Sequence, residues 1–295
     1  METVLIIGGS GFLGSHLAAR LKGGYRVVTT RFRHSLRMSG VTEYPLTVSQ
    51  NEWAKELVMG IQPQIVIYAA GSCDLRWTED PENARELELQ NITGSTTLMA
   101  ASQLVGSRFI YVSSALVFDG TRGNYHESDV LVPNTGFGRS KLSAENSIRS
   151  RALNYLLVRS APLLGRGPAG NPSLLDRWLH QWGHGRPVEL DERVRHSYAP
   201  VEEFADWMVR CIESGTKNRT LHFGGLSRCT EHELGTNLAK RLGVPDSLVV
   251  RKSAKADAQM RDYSLNTSAS VRALEVKPLF LKQSLDLVEK RLLVP

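Results

Sequence analysis

The chain has little that would give it a covalent or metallic frame. Its three cysteines in 295 residues, Cys73, Cys211 and Cys229, are odd in number and widely spaced, which argues against a disulfide framework and a Cys-x-x-Cys metal site. A fold that stands without staples, in a reducing compartment, is the expectation. No apolar run approaches the length of a membrane span, and Met1-Glu2 leads into only four apolar residues, Val4 to Ile7, without a basic leader. This predicts a cytoplasmic protein with no membrane partner. His180-Gln-Trp-Gly-His184 has the i, i+4 spacing that presents two imidazoles on one helix face, but no Glu follows His180 and Gly183 weakens the helix, so no metal is expected. The charge excess is small, 36 basic against 30 acidic residues, and the basic residues form no stripe interleaved with aromatics. Nucleic acid is therefore not the expected partner, and a phosphate-bearing small molecule is. No internal repeat or low-complexity tract is present.

What is present is a pattern. Short β-branched runs, Val4–Ile7, Arg26–Thr30, Ile65–Tyr68, Phe109–Ser113 and Tyr155–Arg159, alternate with helical stretches at Gly14–Leu21, Asn51–Val58, Pro81–Leu104 and Ser140–Arg149. Such alternation predicts an α/β fold of the Rossmann type, a doubly wound parallel sheet with its ligand crevice at the carboxyl ends of the strands. After Gly165 the character changes to a Gly/Pro loop, Arg166 to Pro172, then Trp-rich sequence and helices around Val201–Ser214 and Glu231–Leu242. The expected division is a dinucleotide-binding domain over residues 1–165 and a small C-terminal substrate lobe over 166–295, some of whose segments return to the first domain.

Gly8, Gly11 and Gly14 stand at G-x-x-G-x-x-G spacing directly after a buried-type strand and at the start of a helix. Glycines there allow a tight turn, and the backbone N–H groups of Gly11, Phe12, Leu13 and Gly14 can reach a pyrophosphate resting on the helix N-terminus. The end of the second strand reads Val28-Thr29-Thr30-Arg31-Phe32-Arg33, with no carboxylate to accept from the ribose of NAD. Arg31 there suits a 2′-phosphate, so NADP is expected over NAD.

Taken with Pro63 to Gly71, which includes Ala69-Ala70-Gly71, and with Tyr111 to Gly120 and Phe137 to Glu145, these residues resemble the extended short-chain dehydrogenase/reductase superfamily, in its dTDP-dehydrorhamnose reductase-like branch. The resemblance runs nearly the full length. It implies that Ala69, Ala70 and Gly71 lie against the adenosine, that Asn91 belongs to the cofactor site, and that Ser114 binds the substrate carbonyl with Ala115 beside it. It further implies that Lys141 bonds the nicotinamide ribose. Glu127, Asp129 and Pro133 fit the family's acidic loop, Arg159 to Gly165 its nicotinamide-lining turn, and Asp262 to Asn266 its near-terminal element. Trp178, Trp182, Arg193, Arg195 and Tyr198 lie where extended members gather contacts to a nucleotide sugar, and equally suit a lobe core with surface charge; Asp74, Arg76 and Trp77 fall where they can face the substrate.

Phe137-Gly138-Arg139-Ser140-Lys141 has the frame of the family's catalytic Tyr-x-x-x-Lys, but residue 137 has no hydroxyl. Positions i and i+4 share a helix face, so a tyrosine would feel the lysine ammonium and titrate below about 10; a phenylalanine titrates not at all. Loss of a positioned acid costs about 10²–10⁴ in rate, roughly 3–5 kcal/mol of barrier. Three readings stay open: an NADP-dependent oxidoreductase acting on a carbonyl of a sugar nucleotide or similar small molecule, using Ser114 and Lys141; a regulatory or scaffold protein that binds NADP without turnover, like the β subunit of methionine adenosyltransferase from the same branch; and a Tyr-to-Phe replacement in an active enzyme. A homodimer or a partner enzyme fits any of them.

Overall fold

The computed structural model describes residues 1–48, 50–253 and 259–292. Seven strands form its central sheet: β1 (Thr3–Ile7), β2 (Arg26–Arg31), β3 (Val41–Pro45), β4 (Ile65–Tyr68), β5 (Arg108–Ser114), β6 (Tyr155–Ser160) and β7 (Arg219–Phe223). Their order is β7-β6-β5-β4-β1-β2-β3, and every neighbouring pair is parallel. The chain winds outward from β1 through β2 and β3, then crosses to β4 on the other side of β1. That reversal opens a crevice above the carboxyl ends of β1 and β4, where open α/β sheets take their ligands.

Period-two alternation distributes each strand between two cores. Val4 and Ile6 of β1 pack with Leu17 and Leu21 and with Phe204, Trp207 and Met208 of the Val201–Glu213 helix, while Leu5 and Ile7 pack with Leu57, Leu98, Met99 and Ile148 on the opposite face. Both faces being covered, β1, β4 and β6 read as continuous buried runs. A separate core of Trp178, Trp182, Leu190, Tyr198 and Leu234 builds the lobe from the Leu174–Gly183, Glu231–Arg241 and Leu281–Leu292 helices. Between its segments, Val201–Glu213 and β7 lie in the layers of the main sheet.

Three elements differ from the sequence expectation. β3 was not anticipated because an edge strand, mostly exposed and ending in Pro45, carries no apolar signature. The stretch 81–104 is four pieces rather than one helix: a 3₁₀ turn at Pro81–Asn83, a short α-helix at Ala84–Glu88, a π-helical segment at Leu89–Gly94 and an α-helix at Ser95–Leu104. The π segment holds Asn91, and such bulges redirect side chains at functional sites. Finally, the helix expected to begin at Ser140 begins at Gly136, one residue after the Thr135 N-cap, whose hydroxyl accepts from Gly138 N at 2.9 Å. Gly136 and Gly138 disguise that first turn. A side chain at 138 would overlap the Leu116 carbonyl, so the glycine is what lets the helix approach the β5 loop.

Candidate active site

The turn after β1 is built for close approach. Gly8 has φ +84°, and a Cβ there would sit 2.8 Å from Ala70 Cα. Its N–H donates to the Thr30 hydroxyl at 3.0 Å, and Gly11 N closes the turn onto the Gly8 carbonyl at 3.0 Å. Gly14, the first-turn glycine of the Phe12–Leu21 helix, packs on the same Gly8 carbonyl. The helix has Gly11 as its N-cap, without a side-chain cap and without an acidic residue in its first turn. Its N-terminal N–H groups and positive dipole end are therefore left for an anion.

A second helix N-terminus borders the crevice and is closed. Glu79 receives Gly136 N at 2.9 Å and Phe137 N at 3.1 Å, so an internal carboxylate fills the end of the Gly136–Arg151 helix. The same contacts tie the Gly71–Glu79 wall to that helix. Its other end is held where Asn91 Nδ2 donates to Ser140 Oγ at 2.9 Å while Asn91 Oδ1 lies against Gly71, leaving room for no Cβ. Asn91 is fully buried, and its Oδ1 accepts no hydrogen bond from a described residue.

Phe137 and Lys141 project from one face of the helix, as the i, i+4 spacing predicts. Lys141 is 6% exposed; its Nζ donates to the Val112 carbonyl at 3.1 Å and lies 4.8 Å from the Tyr111 ring centroid and 5.6 Å from that of Phe137. Two of the three ammonium donors have no described partner. Burial lowers the ammonium to about 8, against the pull of Cys73 and Glu145 in the other direction. Ser114 stands at the carboxyl end of β5, where its Oγ accepts from Leu116 N at 3.2 Å and keeps its own O–H to donate. Ala115 beside it is buried.

Behind the site, the helix is locked to the sheet by a buried ion pair. Arg159 on β6 meets Glu145 at 2.8 Å with both side chains withdrawn from solvent, and Ser113 Oγ adds a bond to Glu145 at 2.6 Å. His222 on β7 lies 3.4 Å from Arg159, and burial, then the arginine charge, lowers its imidazole to about 3. The acidic loop belongs to this scaffold rather than to the crevice: Glu127 accepts from His222 N at 3.0 Å, and Asp129 is paired with Arg122.

At the end of β2, Arg31 is 37% exposed and its Nε is 3.3 Å from Glu43 of β3. This carboxylate was invisible in a sequence reading confined to the second strand. Glu79 was missed likewise, since its role exists only once the Gly136–Arg151 helix is docked. Trp178, Trp182 and Tyr198 are buried in the lobe core, which withdraws them from stacking on a ligand, and Arg193 and Arg195 pair with Asp191 and Glu233. Asp262 pairs with Arg228, and Tyr263 donates to Asn134 Oδ1 at 2.8 Å, packing the near-terminal element on the turn at Gly120. Among the described residues no group of three or more His, Cys, Asp or Glu side chains is arranged to hold a metal, and no helix is long and apolar enough to cross a membrane.

The chain matches the RmlD substrate binding domain family over residues 1–282. It belongs to that family. The dTDP-4-dehydrorhamnose reductase of Mycobacterium tuberculosis H37Rv is 27% identical over 226 residues, covering 75% of this chain and 69% of that one. Methionine adenosyltransferase 2 subunit beta of Bos taurus is 27% identical over 252 residues, 83% of this chain and 73% of the relative. The solved dTDP-4-dehydrorhamnose reductase of Bacillus anthracis, in complex with NADP, superposes with a TM-score of 0.81 at 19% identity over 98% of this chain and 99% of that one, which establishes the shared fold. The RmlD-type assignment makes this an extended short-chain dehydrogenase/reductase with a seven-stranded Rossmann-like sheet, in a family of oxidoreductases.

Proposed function

We propose that this RmlD-type protein binds NADP(H) in the crevice above β1 and β4 and is organised to reduce a carbonyl of a sugar nucleotide or similar small molecule, with the usual proton donor missing. The observation that carries this reading is the combination of an uncapped Phe12–Leu21 helix with a buried Lys141 that has two unused donors and stands beside an apolar Phe137. The donor set fits a dinucleotide: backbone N–H groups for a pyrophosphate, and an ammonium for ribose hydroxyls. When bound, the nicotinamide supplies the hydride. Ser114 Oγ–H polarises the carbonyl oxygen by donating to it, and Lys141 holds the ribose and its positive charge near the developing alkoxide. Phe137 neither gives nor takes a proton, so the alkoxide proton comes from Ser114, from water or from the substrate itself.

NADP is favoured over NAD because Arg31, held at its Nε by Glu43, keeps its terminal nitrogens for a 2′-phosphate. Calorimetry tests this: NADPH binds at least several-fold tighter than NADH, and Arg31→Ala removes most of that difference. Equal affinities, or a preference for NADH, refute the assignment and point to Glu43 as a ribose acceptor. A second reading rests on Phe137 itself, since a site that binds the dinucleotide without an acid can serve as a sensor. The similarity to methionine adenosyltransferase 2 subunit beta supports a regulatory role in which binding, not turnover, is the output.

A further inference from the structure

A cavity of about 220 Å³ lies away from the crevice, between the Val201–Glu213 helix, the end of β7 and the segment Glu275–Leu279. It is open to solvent on one side, and its size is below the ~300–1,000 Å³ of pockets that take drug-sized ligands, which suits a small metabolite.

Two nearly buried side chains on its wall have hydrogen-bonding groups without partners. Trp207 is 4% exposed, and its indole N–H donates to no described residue. Thr267 is 6% exposed and, although it is the N-cap of the Ser268–Leu274 helix, its hydroxyl makes no capping bond. Neither atom is among the polar atoms sealed off from solvent without a partner, so both are reachable by water, and a ligand that replaces that water takes up their free donors. His222 also lines the cavity, but its imidazole is engaged by Tyr125 O, Asn266 O and Arg159.

The charges around these donors come in both signs. Arg210 and Lys277 line the cavity, as do Glu203 and Glu275, and none of the four is in an ion pair with a described residue; Asp206, the remaining acid, is taken by Arg20. Glu203 is partly buried, and burial together with the charges of Asp206 and Glu202 raises its carboxyl, so a cation there relieves it. Phe223, Val276, Pro278 and Leu279 complete an apolar wall. An anion alone leaves Glu203 unrelieved, and a cation alone leaves the Trp207 and Thr267 donors idle.

We infer that this cavity is a second ligand site, selective for a small zwitterion with an apolar body, an α-amino acid in chemical class: its carboxylate meets Trp207, Thr267 and the nearby Arg210, and its ammonium meets Glu203. The site is independent of the dinucleotide crevice. The test is calorimetric titration of the full chain with L-alanine, L-valine, L-leucine, L-methionine and L-phenylalanine. For the tightest of these, the deaminated acid and the decarboxylated amine of the same skeleton are compared. At least one amino acid saturates the protein, and each single-charge analogue binds at least tenfold more weakly. Thr267→Val, which keeps the shape and removes one donor, and Trp207→Phe, which removes the other and trims the main-sheet core, weaken the amino acid at least fivefold in the folded proteins while NADPH affinity stays unchanged. If none of the five saturates at millimolar concentration, if an analogue binds as well as the amino acid, or if both folded variants bind it unchanged, the inference is overturned.

Discussion

Lys141 should cost the fold stability in order to serve the site, and the cost can be measured. Its fall from 10.5 to about 8 on burial corresponds, at about 1.4 kcal/mol per pKa unit, to roughly 3 kcal/mol of unfavourable charge burial at neutral pH. Against this stand one hydrogen bond to Val112, about 1 kcal/mol, and the contact with the Tyr111 ring, about 0.5–1 kcal/mol. Lys141→Met keeps the stem, removes the charge and should stabilise the ligand-free protein by about 1–2 kcal/mol at pH 7. Because the native pKa lies below the unfolded one, the unfolded chain binds the extra proton between about pH 8 and 10.5. The wild type therefore regains stability as pH rises through that window, and the advantage of the variant shrinks there, while below pH 8 it is complete. Urea unfolding of both proteins at intervals from pH 6.5 to 10.5 gives the difference free of other titrations. NADPH should narrow or reverse the gap, because it stabilises the wild type more than a variant that lacks the ribose contact. A variant less stable than wild type at pH 7, or a gap that does not change between pH 8 and 10.5, refutes the claim that a strained ammonium is held there for a ligand.

Two further substitutions separate binding from folding. Gly11 has φ −76°, which any residue adopts, and a Cβ there meets only the Gly8 carbonyl at 3.1 Å, so Gly11→Val should fold yet lose NADPH binding in calorimetry, because its branches occupy the space above the helix N-terminus. Unchanged affinity would show the loop to be misassigned. Arg159→Met strands Glu145 in the core and should destabilise by about 3–5 kcal/mol, toward the lower end because Arg149 reaches the same carboxylate at 3.0 Å; the double variant with Glu145→Leu should recover much of the loss in urea unfolding.

The parts of the architecture that bury apolar surface were legible in the sequence, and those made by polar contacts at a distance were not. Val4–Ile7 and Ile65–Tyr68 read as buried parallel strands because both their faces are covered. The glycine spacing after β1 identifies the anion end of the Phe12–Leu21 helix for the same local reason: turn, strand and helix are contiguous. β3 failed this test because its exposed residues pair through backbone alone, and the π-helical turn at Asn91 failed it because no propensity distinguishes it from α-helix. Within the site, Phe137 and Lys141 follow from helical spacing. Glu43 beside Arg31 and Glu79 on the Phe137 amide come from segments 12 and 58 residues distant, contacts that only the folded chain creates. The aromatic residues Trp178, Trp182 and Tyr198 fit either a ligand-stacking site or the lobe's own core on sequence, and only the folded lobe shows that they are core.

The central claim is that the crevice remains organised for reduction and lacks only a proton donor at position 137, and Phe137→Tyr tests it directly. The new phenol would stand beside an ammonium whose Nζ is 5.6 Å from the ring centroid, so it should titrate below its usual value of about 10 and act as the general acid. With NADPH saturating, reduction of a panel of keto-sugar nucleotides should rise by roughly 10²-fold or more for at least one substrate, with a pH profile that follows the phenol, and Ser114→Ala should suppress the gain. No gain on any member of the panel, in a variant that still binds NADPH, would contradict the account and leave the dinucleotide site as a sensor.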